Sequence, residues 1–568
     1  MSTNEMNLSY LLISEHFGPI VANVANVLLH NGLSPLGLIV KTSKETMENV
    51  KKSLVILIQH NYVIHEMNKK GFIDYDIDTK QVMSILRYPK YIYVSKMLLG
   101  DEAEYMCEEL LRHGVMTMSQ TIQQVVNRLA IALDHKNCHQ LVHNVYNVFT
   151  KLVSIHFIQR AHTLNDNRNN FTAIKDKSLV DDNEDNDHLM YTLPDIDLNL
   201  IKINNNKQQN NDKSDVKIKS EDIEEPLPKK RRVSSDLPNV RQKDLDIYWK
   251  INLKRFNQYL RDQLIIDAIK THYDDPIAGE IVRNILRLSE VNTHPMKAST
   301  HPLSKHEIIK EVLKEKVCSE GVFVEQLLHC FNDDMNFRFV TKAEDRSDGM
   351  FSVNLLRTLN KLVEDTLVTI IQTRFCSKSA RIFRLLLNKK YLQQKQIEDM
   401  AMIPAKEAKE LTYKLYTNNV LKVLQCPKTS DYAPSRTYFL FTVDTTAIAK
   451  QTLQRCYQSV SNAINRRLHE VQQNKTLLER KNFIDAVISS LEHQQTYQDV
   501  EQQIQDLKNS FTTHDTELLE KINKNIKKLE ESELQTEETI FLMHTWLNLR
   551  LINSKEGNII DSTVLAKM

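Results

Sequence analysis

The stretch that decides the fold is residues 378–443, which begins KSARIFRLLLNKKYLQQKQIEDMAMIPAKEAKELTYKLY and ends TYFLFTV. Apolar side chains mark its helices at helical spacing: Ile382, Leu385 and Leu386 in the first, then Ala408, Leu411 and Leu415 in the third. A short second helix is predicted over 396–400. The third begins at Pro404, because proline is favoured where a backbone N–H would have no partner.

Two strands follow these helices. Residues 420–424 and 438–443 are rich in β-branched and aromatic side chains, which favours strands. The loop between them contains two prolines, so it cannot continue a ladder of hydrogen bonds. The order helix–helix–helix–strand–wing–strand predicts a winged helix. The fold class is therefore mainly α with small β-hairpins (α+β).

The rest of the chain predicts further copies of this motif, in tandem as extended winged helices. The limits are 1–80 for winged helix 1, 81–160 for winged helix 2, 246–376 for winged helix 3 and 377–450 for winged helix 4. In the first, Ser43 is predicted to cap a third helix over 43–60. The aromatic run 86–93 is predicted to be a connector. The second copy lacks a clear wing, and the third is predicted to open with a helix from Tyr248.

Between the second and third copies the composition changes. Residues 161–245 are rich in asparagine and aspartate, cannot bury a core and are predicted to be a disordered linker. The linker contains the basic run PKKRRV, with Lys229, Lys230, Arg231 and Arg232, followed by Ser234 and Ser235. Such a run indicates nuclear localisation or a nucleic-acid patch, with a solvated charge run as the alternative.

Residues 451–535 are predicted to form an antiparallel coiled-coil hairpin. Apolar residues recur three or four apart, as at Val460, Ile464, Leu468 and Val471, with charged and amide residues between them. The polar segment 492–496 is the predicted turn. Residues 536–568 form a C-terminal helix and tail, whose apolar part over 539–551 is predicted to dock back on the molecule.

Composition sets further limits on function. The 568 residues exceed a single core, and only 10 glycines argue against glycine-rich nucleotide loops. A net charge of +1 predicts no global attraction to nucleic acid or membrane. Seven scattered cysteines, without a signal peptide or an apolar run of spanning length, predict a reduced cytosolic or nuclear protein.

No catalytic constellation is evident. His139 and His143 are spaced like a zinc pair, but no second ligand pair lies near them in sequence. The segment around Asp181 has Asn186 where a calcium loop needs glycine. We therefore predict no metal, no cofactor and no enzymatic activity for this chain, and a role in binding or assembly.

The winged helices predict contact with duplex DNA, with the third helix in the major groove. The candidate DNA-binding residues are Lys44, Lys51, Lys52, Arg381, Arg384, Lys395, Lys406, Lys409, Lys428 and Arg436. Glutamates interrupt both third helices, at 45 and 48 and at 407 and 410, so neither is a continuous basic stripe. A solvated face or a protein interface is an equal alternative for each.

Taken together, the segments resemble the winged-helix subunit family of RNA polymerase III called subunit C3. This family belongs to the polymerase's peripheral initiation heterotrimer and is related to the large subunit of general factor E. The resemblance is carried by 15–21 (EHFGPIV), 86–93 (LRYPKYIY), 381–387 (RIFRLLL), 394–409 (QKQIEDMAMIPAKEAK), 433–437 (APSRT) and 537–542 (EETIFL). It covers nearly the whole chain except the linker.

The resemblance implies a non-catalytic subunit whose hairpin docks on the clamp of the largest polymerase subunit. It also implies two smaller heterotrimer partners, an initiation factor of the TFIIIB type, promoter DNA, and promoter opening at short non-coding RNA genes (tRNA, 5S rRNA). The family further implies a part in sensing AT-rich cytosolic DNA. The alternatives are a free-standing winged-helix transcription factor and a scaffold outside transcription.

Overall fold

The computed structural model describes residues 2–68, 71–133, 138–161, 190–194, 244, 247–315, 321–334, 339–342, 349–428, 436–492 and 511–565. The chain forms two compact units. The first comprises Met1–His30, Ile85–Arg87 and Asn257–Met568, and the second comprises Asn31–Ser84 and Tyr88–Phe256. Helices predominate, and the strands are short and antiparallel, so the predicted α+β class is confirmed.

The helices of the N-terminal half are α1 Thr3–Phe17, α2 Pro19–Asn31, α3 Leu36–Ser43, α4 Met47–Gln59, α5 Thr79–Met83, α6 Tyr88–Leu99, α7 Asp101–His113, α8 Met118–Leu133 and α9 Cys138–Ser154. Those that follow are α10 Leu253–Tyr273, α11 Pro276–Ser289, α12 Lys305–Lys314, α13 Gly321–Asp333, α14 Leu355–Arg374, α15 Ser377–Lys389, α16 Gln394–Ala401, α17 Ala405–Thr417, α18 Thr445–Gln473, α19 Lys475–Glu492 and α20 Thr513–Leu565.

The strands are β1 Ser34–Pro35, β2 Val63–Met67, β3 Ile73–Ile77, β4 Met116–Thr117, β5 Ile158–Arg160, β6 Tyr248–Ile251, β7 Leu303–Ser304, β8 Val340–Lys342, β9 Met350–Val353, β10 Lys422–Pro427 and β11 Thr437–Thr442. Three sheets have the same order, β1-β3-β2, β4-β6-β5 and β7-β9-β8. In the fourth, β10 pairs with β11, and Leu392 makes the equivalent bridge to Phe441. The winged-helix topology therefore occurs four times.

The same backbone motif ends the third helix in three of the four copies. A residue with positive φ follows each helix, namely Asn61, His156 and Asn419. The next residue then donates its N–H five residues back: Tyr62 to Leu57, Phe157 to Leu152 and Val420 to Leu415. This is the six-to-one bond of a Schellman motif, and it turns the chain sharply from helix into strand.

A second recurrent device follows the last strand of each copy. The side chains of Asp78, Asn252, Asn354 and Asp444 accept backbone N–H bonds from the helix that begins there. Such side-chain caps satisfy donors that a helix start leaves without partners. Each wing therefore leads directly into a capped helix that connects it to the next part of the chain.

One sequence prediction for the first copy was wrong. Its third helix begins at Met47 and not at Ser43, because Thr46 is the residue whose side chain accepts the Asn49 N–H. The predicted connector over 86–93 is helical: a 3-10 turn over Ser84–Arg87 leads into α6. Pro89 fits there because a first helical turn needs no donor from it.

The predicted helix from Tyr248 was also wrong. Residues 248–251 form β6, which pairs with β4 and β5, and α10 starts only at Leu253. The wing that seemed absent from the second copy is therefore present. Its two strands lie on either side of residues 162–247, so the sequence pattern was interrupted by a long insertion. Trp249 fixes β6 in place, being fully buried and edge-on to Phe149.

Parts of the predicted disordered linker lie against the second unit. The Tyr191 ring stacks on His156 with centroids 3.9 Å apart, and Arg160 donates to the Thr192 carbonyl. Asp244 is fully buried and accepts the Ser119 N–H at 2.8 Å, near the start of α8. The prediction of disorder is wrong for these residues, and the remaining parts of 161–245 lie outside the described residues.

The two long helices α18 and α20 run antiparallel. Tyr457 hydrogen-bonds to His544, and ten residues later Arg467 bonds to Glu533, so the contacts move towards the C-terminus of α18 and towards the N-terminus of α20. Val460 and Ile464 are buried as the seam requires, whereas Leu468 and Val471 remain more than one-third exposed. Of the predicted turn over 492–496, Glu492 ends α19 and residues 493–496 lie outside the described residues.

The separate last helix predicted over 539–551 was wrong, because these residues belong to the continuous α20. Their docking is nevertheless clear within the first unit. Trp546 is fully buried and donates its indole N–H to Asn360 of α14. The base of the hairpin is therefore packed on the helix that follows the third wing.

Candidate nucleic-acid and protein-docking surfaces

The third helix of the fourth copy, α17, carries lysine and tyrosine on its outer face. Lys406, Lys409, Tyr413 and Tyr416 recur at spacings of three and four and are all exposed. Glu407, which seemed to offset them, is held by Lys378 at 2.5 Å. Within the described part of the chain, neither Lys406 nor Lys409 forms an ion pair. The pairing removes the charge of Glu407 from this face, whereas Glu410 remains exposed one turn from Lys406.

The basic patch predicted on the preceding helices is brought only partly together. Arg381 donates to the Ala401 carbonyl at 3.0 Å, which fastens α15 to the end of α16. Arg384 and Lys395 are exposed. Arg381 therefore has a structural task, because it satisfies a carbonyl that the end of a helix leaves without a partner.

The fourth wing places its two predicted cations side by side. The Lys428 N–H donates to the Arg436 carbonyl at 2.9 Å, so these residues continue the β10–β11 ladder. The Lys428 ammonium lies 4.6 Å from the centre of the Tyr438 ring, a cation–π contact. Both side chains are exposed. A cationic wing beside a cationic third helix is an arrangement that suits nucleic-acid phosphates.

The first copy presents a different surface. Lys44 lies just after α3 in the left-handed conformation, while Lys51 and Lys52 lie on α4, and all three are exposed. The face of α4 that carries Lys51 also carries exposed Met47 and Val55, at spacings of four. Exposed methionine is enriched at protein interfaces, so this face suits a protein contact as well as a phosphate contact.

Sequence reasoning missed a buried ion pair in the first unit. Arg87 Nε lies 2.9 Å from Glu537 Oε1, with both side chains less than one-tenth exposed. Arg87 also donates to Asn257 and lies over the Phe541 ring. The sequence contained a hint of this pair, because Arg87 and Glu537 belong to two of the segments that carry the family resemblance. The ion pair shows that these two segments contact each other.

A second ionic cluster fixes the base of the hairpin. Arg467 donates to Glu15 of α1 and to Glu533 of α20. Burial by itself would lower the pKa of Arg467, but the two carboxylates outweigh it and raise that pKa. Burial raises the pKa of Glu533, and Arg467 partly offsets this change. The cluster joins α1, α18 and α20 in the first unit.

The remaining predicted sites are easily placed. Among the described residues, no group of three or more His, Cys, Asp or Glu side chains could hold a metal ion. His143 is exposed, and residues 134–137 lie outside the described part. No described helix has the length and apolar character needed to cross a membrane. The basic run with Lys229, Lys230, Arg231 and Arg232 lies outside the described residues.

Four family models match successive parts of the chain. One described as the RNA polymerase III subunit RPC82 helix-turn-helix domain matches residues 7–65, and one described as RNA polymerase III subunit RPC82 matches 147–362. The model described as the POLR3C C-terminal winged-helix domain matches 367–443. The helical hairpin domain of DNA-directed RNA polymerase III subunit RPC3 matches 476–542.

Curated relatives match over nearly the whole length. The DNA-directed RNA polymerase III subunit RPC3 of Mus musculus is 38% identical over 554 residues, covering 96% of this chain and 99% of the relative. The subunits of the same name from Homo sapiens and Danio rerio are each 37% identical, with the same coverage. A more distant relative from Dictyostelium discoideum is 21% identical and covers 85% of this chain.

Proposed function

The chain belongs to the RPC3 family of RNA polymerase III subunits, which is a family of non-catalytic subunits, and from this we propose a role in initiation. The subunit docks on the core enzyme through its helical hairpin. It contacts promoter DNA weakly through its fourth winged helix, and so supports promoter opening at short non-coding RNA genes. The setting of this role is the nucleus, which the basic run over 229–232 favours.

The observation that carries the DNA contact is the cationic surface of the fourth winged helix. Lys406 and Lys409 on α17 and Lys428 and Arg436 on the wing are exposed, and the nearby Glu407 is neutralised by Lys378. A winged helix uses these two elements to reach the groove and the backbone. Four cations without a continuous basic stripe support modest affinity, as befits one contact within a larger assembly.

The hairpin supports the proposed anchor. Beyond Asn474, α19 packs against both α18 and α20, and it exposes Phe483. An exposed aromatic side chain is a frequent anchor of a protein interface. We infer that this part contacts the clamp of the largest subunit. The two smaller heterotrimer subunits and a TFIIIB-type factor complete the proposed set of partners.

Promoter opening tests the DNA contact. A polymerase reconstituted with the K406A/K409A/K428A/R436A variant should form fewer open complexes, measured as permanganate reactivity of unpaired thymines. The matched control is K310A/K450A, which removes two exposed lysines elsewhere in the same unit. Equal thymine reactivity in the quadruple variant, the control and the wild type would rule the contact out.

Excision tests the anchor. Replacing residues 475–522 with a short Gly/Ser turn should abolish co-purification with the large polymerase subunits. Folding can be followed in the same sample, because the two tryptophans, Trp249 and Trp546, are buried one in each unit and outside the excised part. Retained co-purification, with tryptophan emission unchanged, would disprove the anchor. If the wild-type chain instead purifies without the polymerase subunits and binds one DNA duplex tightly, a free-standing transcription factor is favoured.

A further inference from the structure

The wing of the first copy overhangs its own core. Directly opposed pairs follow one face of the β2–β3 hairpin from base to tip: Val63 with Ile77, His65 with Tyr75, and Met67 with Ile73. The base pair is buried, at 4% and 3% exposure, whereas Met67 is 74% and Ile73 43% exposed. Phe72, next to Ile73, is 66% exposed. Met67 and Ile73 are thus directly opposed near the tip of the hairpin, and Phe72, which precedes β3, is exposed beside them.

The opposite face of the same hairpin is acidic. Glu66 and Asp74 are directly opposed across the strands, and Asp76 is two residues further along β3. Like charges in opposed positions destabilise a sheet. The described part of this wing contains no lysine or arginine, and its turn residues Lys69 and Lys70 lie outside that part. An incoming cation placed beside Glu66 and Asp74 would relieve their mutual repulsion.

From these two faces we infer that the tip of the first wing is a protein-docking site. Its partner is a polypeptide surface with an apolar pocket for Met67, Phe72 and Ile73 and with lysine or arginine at the rim. Aromatic and methionine side chains are enriched in interface cores, where a few anchors contribute most of the binding energy. The acidic face supplies complementary charge at the rim.

Other occupants fit the same surface less well. Nucleic acid would present phosphates where Met67, Phe72 and Ile73 need an apolar surface, so it fits the exposed tip less well. A second copy paired through the same patch would bring the two acidic pairs together, because a two-fold contact uses one patch on both chains. This inference goes beyond the proposed DNA contact, since it concerns another winged helix and another class of partner.

The test is photo-crosslinking in the assembled enzyme. A benzophenone amino acid replaces Phe72 in the full chain, and the purified polymerase is irradiated on promoter DNA. The matched control carries the same group at Val291, an isolated apolar side chain that is 91% exposed. We expect an adduct at position 72 on another subunit of the polymerase or its initiation factor, within a peptide that contains lysine or arginine.

Three results would overturn the inference: an adduct with DNA, an adduct only within this chain or a second copy of it, or a yield no greater than that at position 291.

A second measurement compares the binding of two variants, M67S/F72S/I73S and E66K/D74K, with that of the wild type. Each variant should weaken binding to the crosslinked subunit by roughly tenfold, while E66Q/D74Q should weaken it less. Wild-type affinity of both variants would disprove the docking site even if an adduct forms. Open-complex formation, measured separately, reports on the fourth winged helix and keeps the two proposals distinguishable.

Discussion

The first and fourth winged helices share one topology and present opposite surfaces. In the first, the described wing carries Glu66, Asp74 and Asp76 with an apolar tip. In the fourth, the wing carries Lys428 and Arg436, with the Lys428 ammonium over an aromatic ring. The third helices differ in the same sense, because Met47 and Val55 flank Lys51 in α4, whereas the outer face of α17 carries Lys406 and Lys409.

The difference teaches that a winged helix does not by itself imply DNA binding. The backbone motifs that build the fold, such as the positive-φ residue after the third helix and the Asx cap after the wing, are common to the first and fourth copies. Charge and exposed apolar area vary independently of these motifs. Function is therefore decided by the side chains that the shared scaffold presents.

The largest expected difference in stability is between the buried base and the exposed tip of the first wing. Ile77→Ala removes a buried side chain beside Val63 and should cost about 2–5 kcal/mol of unfolding free energy. Ile73→Ala, on the same face four residues earlier, should cost less, about 1 kcal/mol, since 43% of its surface is exposed. Urea unfolding of both variants measures the difference. Equal losses would show that the tip packs as core and does not overhang it.

Charge reversal tests the contrast between the two wings. K428E/R436E should weaken DNA binding by at least about tenfold, because two favourable phosphate contacts become repulsive. E66Q/D74Q in the first wing should leave DNA affinity unchanged, because that wing does not meet DNA in our proposal. Fluorescence anisotropy with the full chain at several salt concentrations measures both. A larger effect from the first wing would reverse the assignment of the two surfaces.

Much of this contrast could be predicted from the sequence, but not all of it. Helical spacing and β-branched runs predicted the order of elements in the fourth copy, because its segments are local. The bounds differ: β10 covers 422–427 and not 420–424, and α17 begins at Ala405, with Pro404 as its N-cap. The strand Tyr248–Ile251 was missed because its partners lie across the insertion, and pairing over that distance leaves no local pattern. The tryptophan buried in it was available as a signal.

For the candidate residues, exposure could be predicted from the sequence, but pairing with other side chains could not. That Lys406 and Lys409 are exposed could be predicted from helical spacing, but the pairing of Glu407 with Lys378 depends on how α15 packs against α17. The apolar tip of the first wing follows from how far the hairpin extends beyond its core, which composition does not reveal. The contacts of the ten candidate residues with DNA, and the division of the chain into seven segments, stay predictions.

A smaller effect is expected from the ring under Lys428. Tyr438→Ala removes a cation–π contact that contributes about 0.5–1 kcal/mol at an exposed site. Lys428 should then sample more rotamers, and DNA affinity should fall about two- to fivefold. Tyr438→Phe keeps the ring and should retain wild-type affinity. If Phe and Ala weaken binding equally, the hydroxyl and not the ring face is responsible.

The smallest effect concerns acid stability at the end of the fourth wing. The hydrogen bond from Lys422, helped by the Ala447 and Thr446 N–H groups, holds the pKa of Asp444 below its ordinary value of 3.8. The unfolded chain therefore binds this proton more readily, so the contribution of Asp444 is complete above about pH 4 and is lost as pH falls through the lower, folded-state pKa. Because the carboxylate is partly exposed, Asp444→Asn should cost only about 0.5 kcal/mol at pH 7 and less at pH 2. Asn354, the neutral cap at the equivalent position of the third copy, is the matched control, since Asn354→Ala should cost the same at both pH values. Urea unfolding at the two pH values measures this, and a cost of Asp444→Asn that does not change with pH would show that the Lys422 contact adds no stability to the fourth wing.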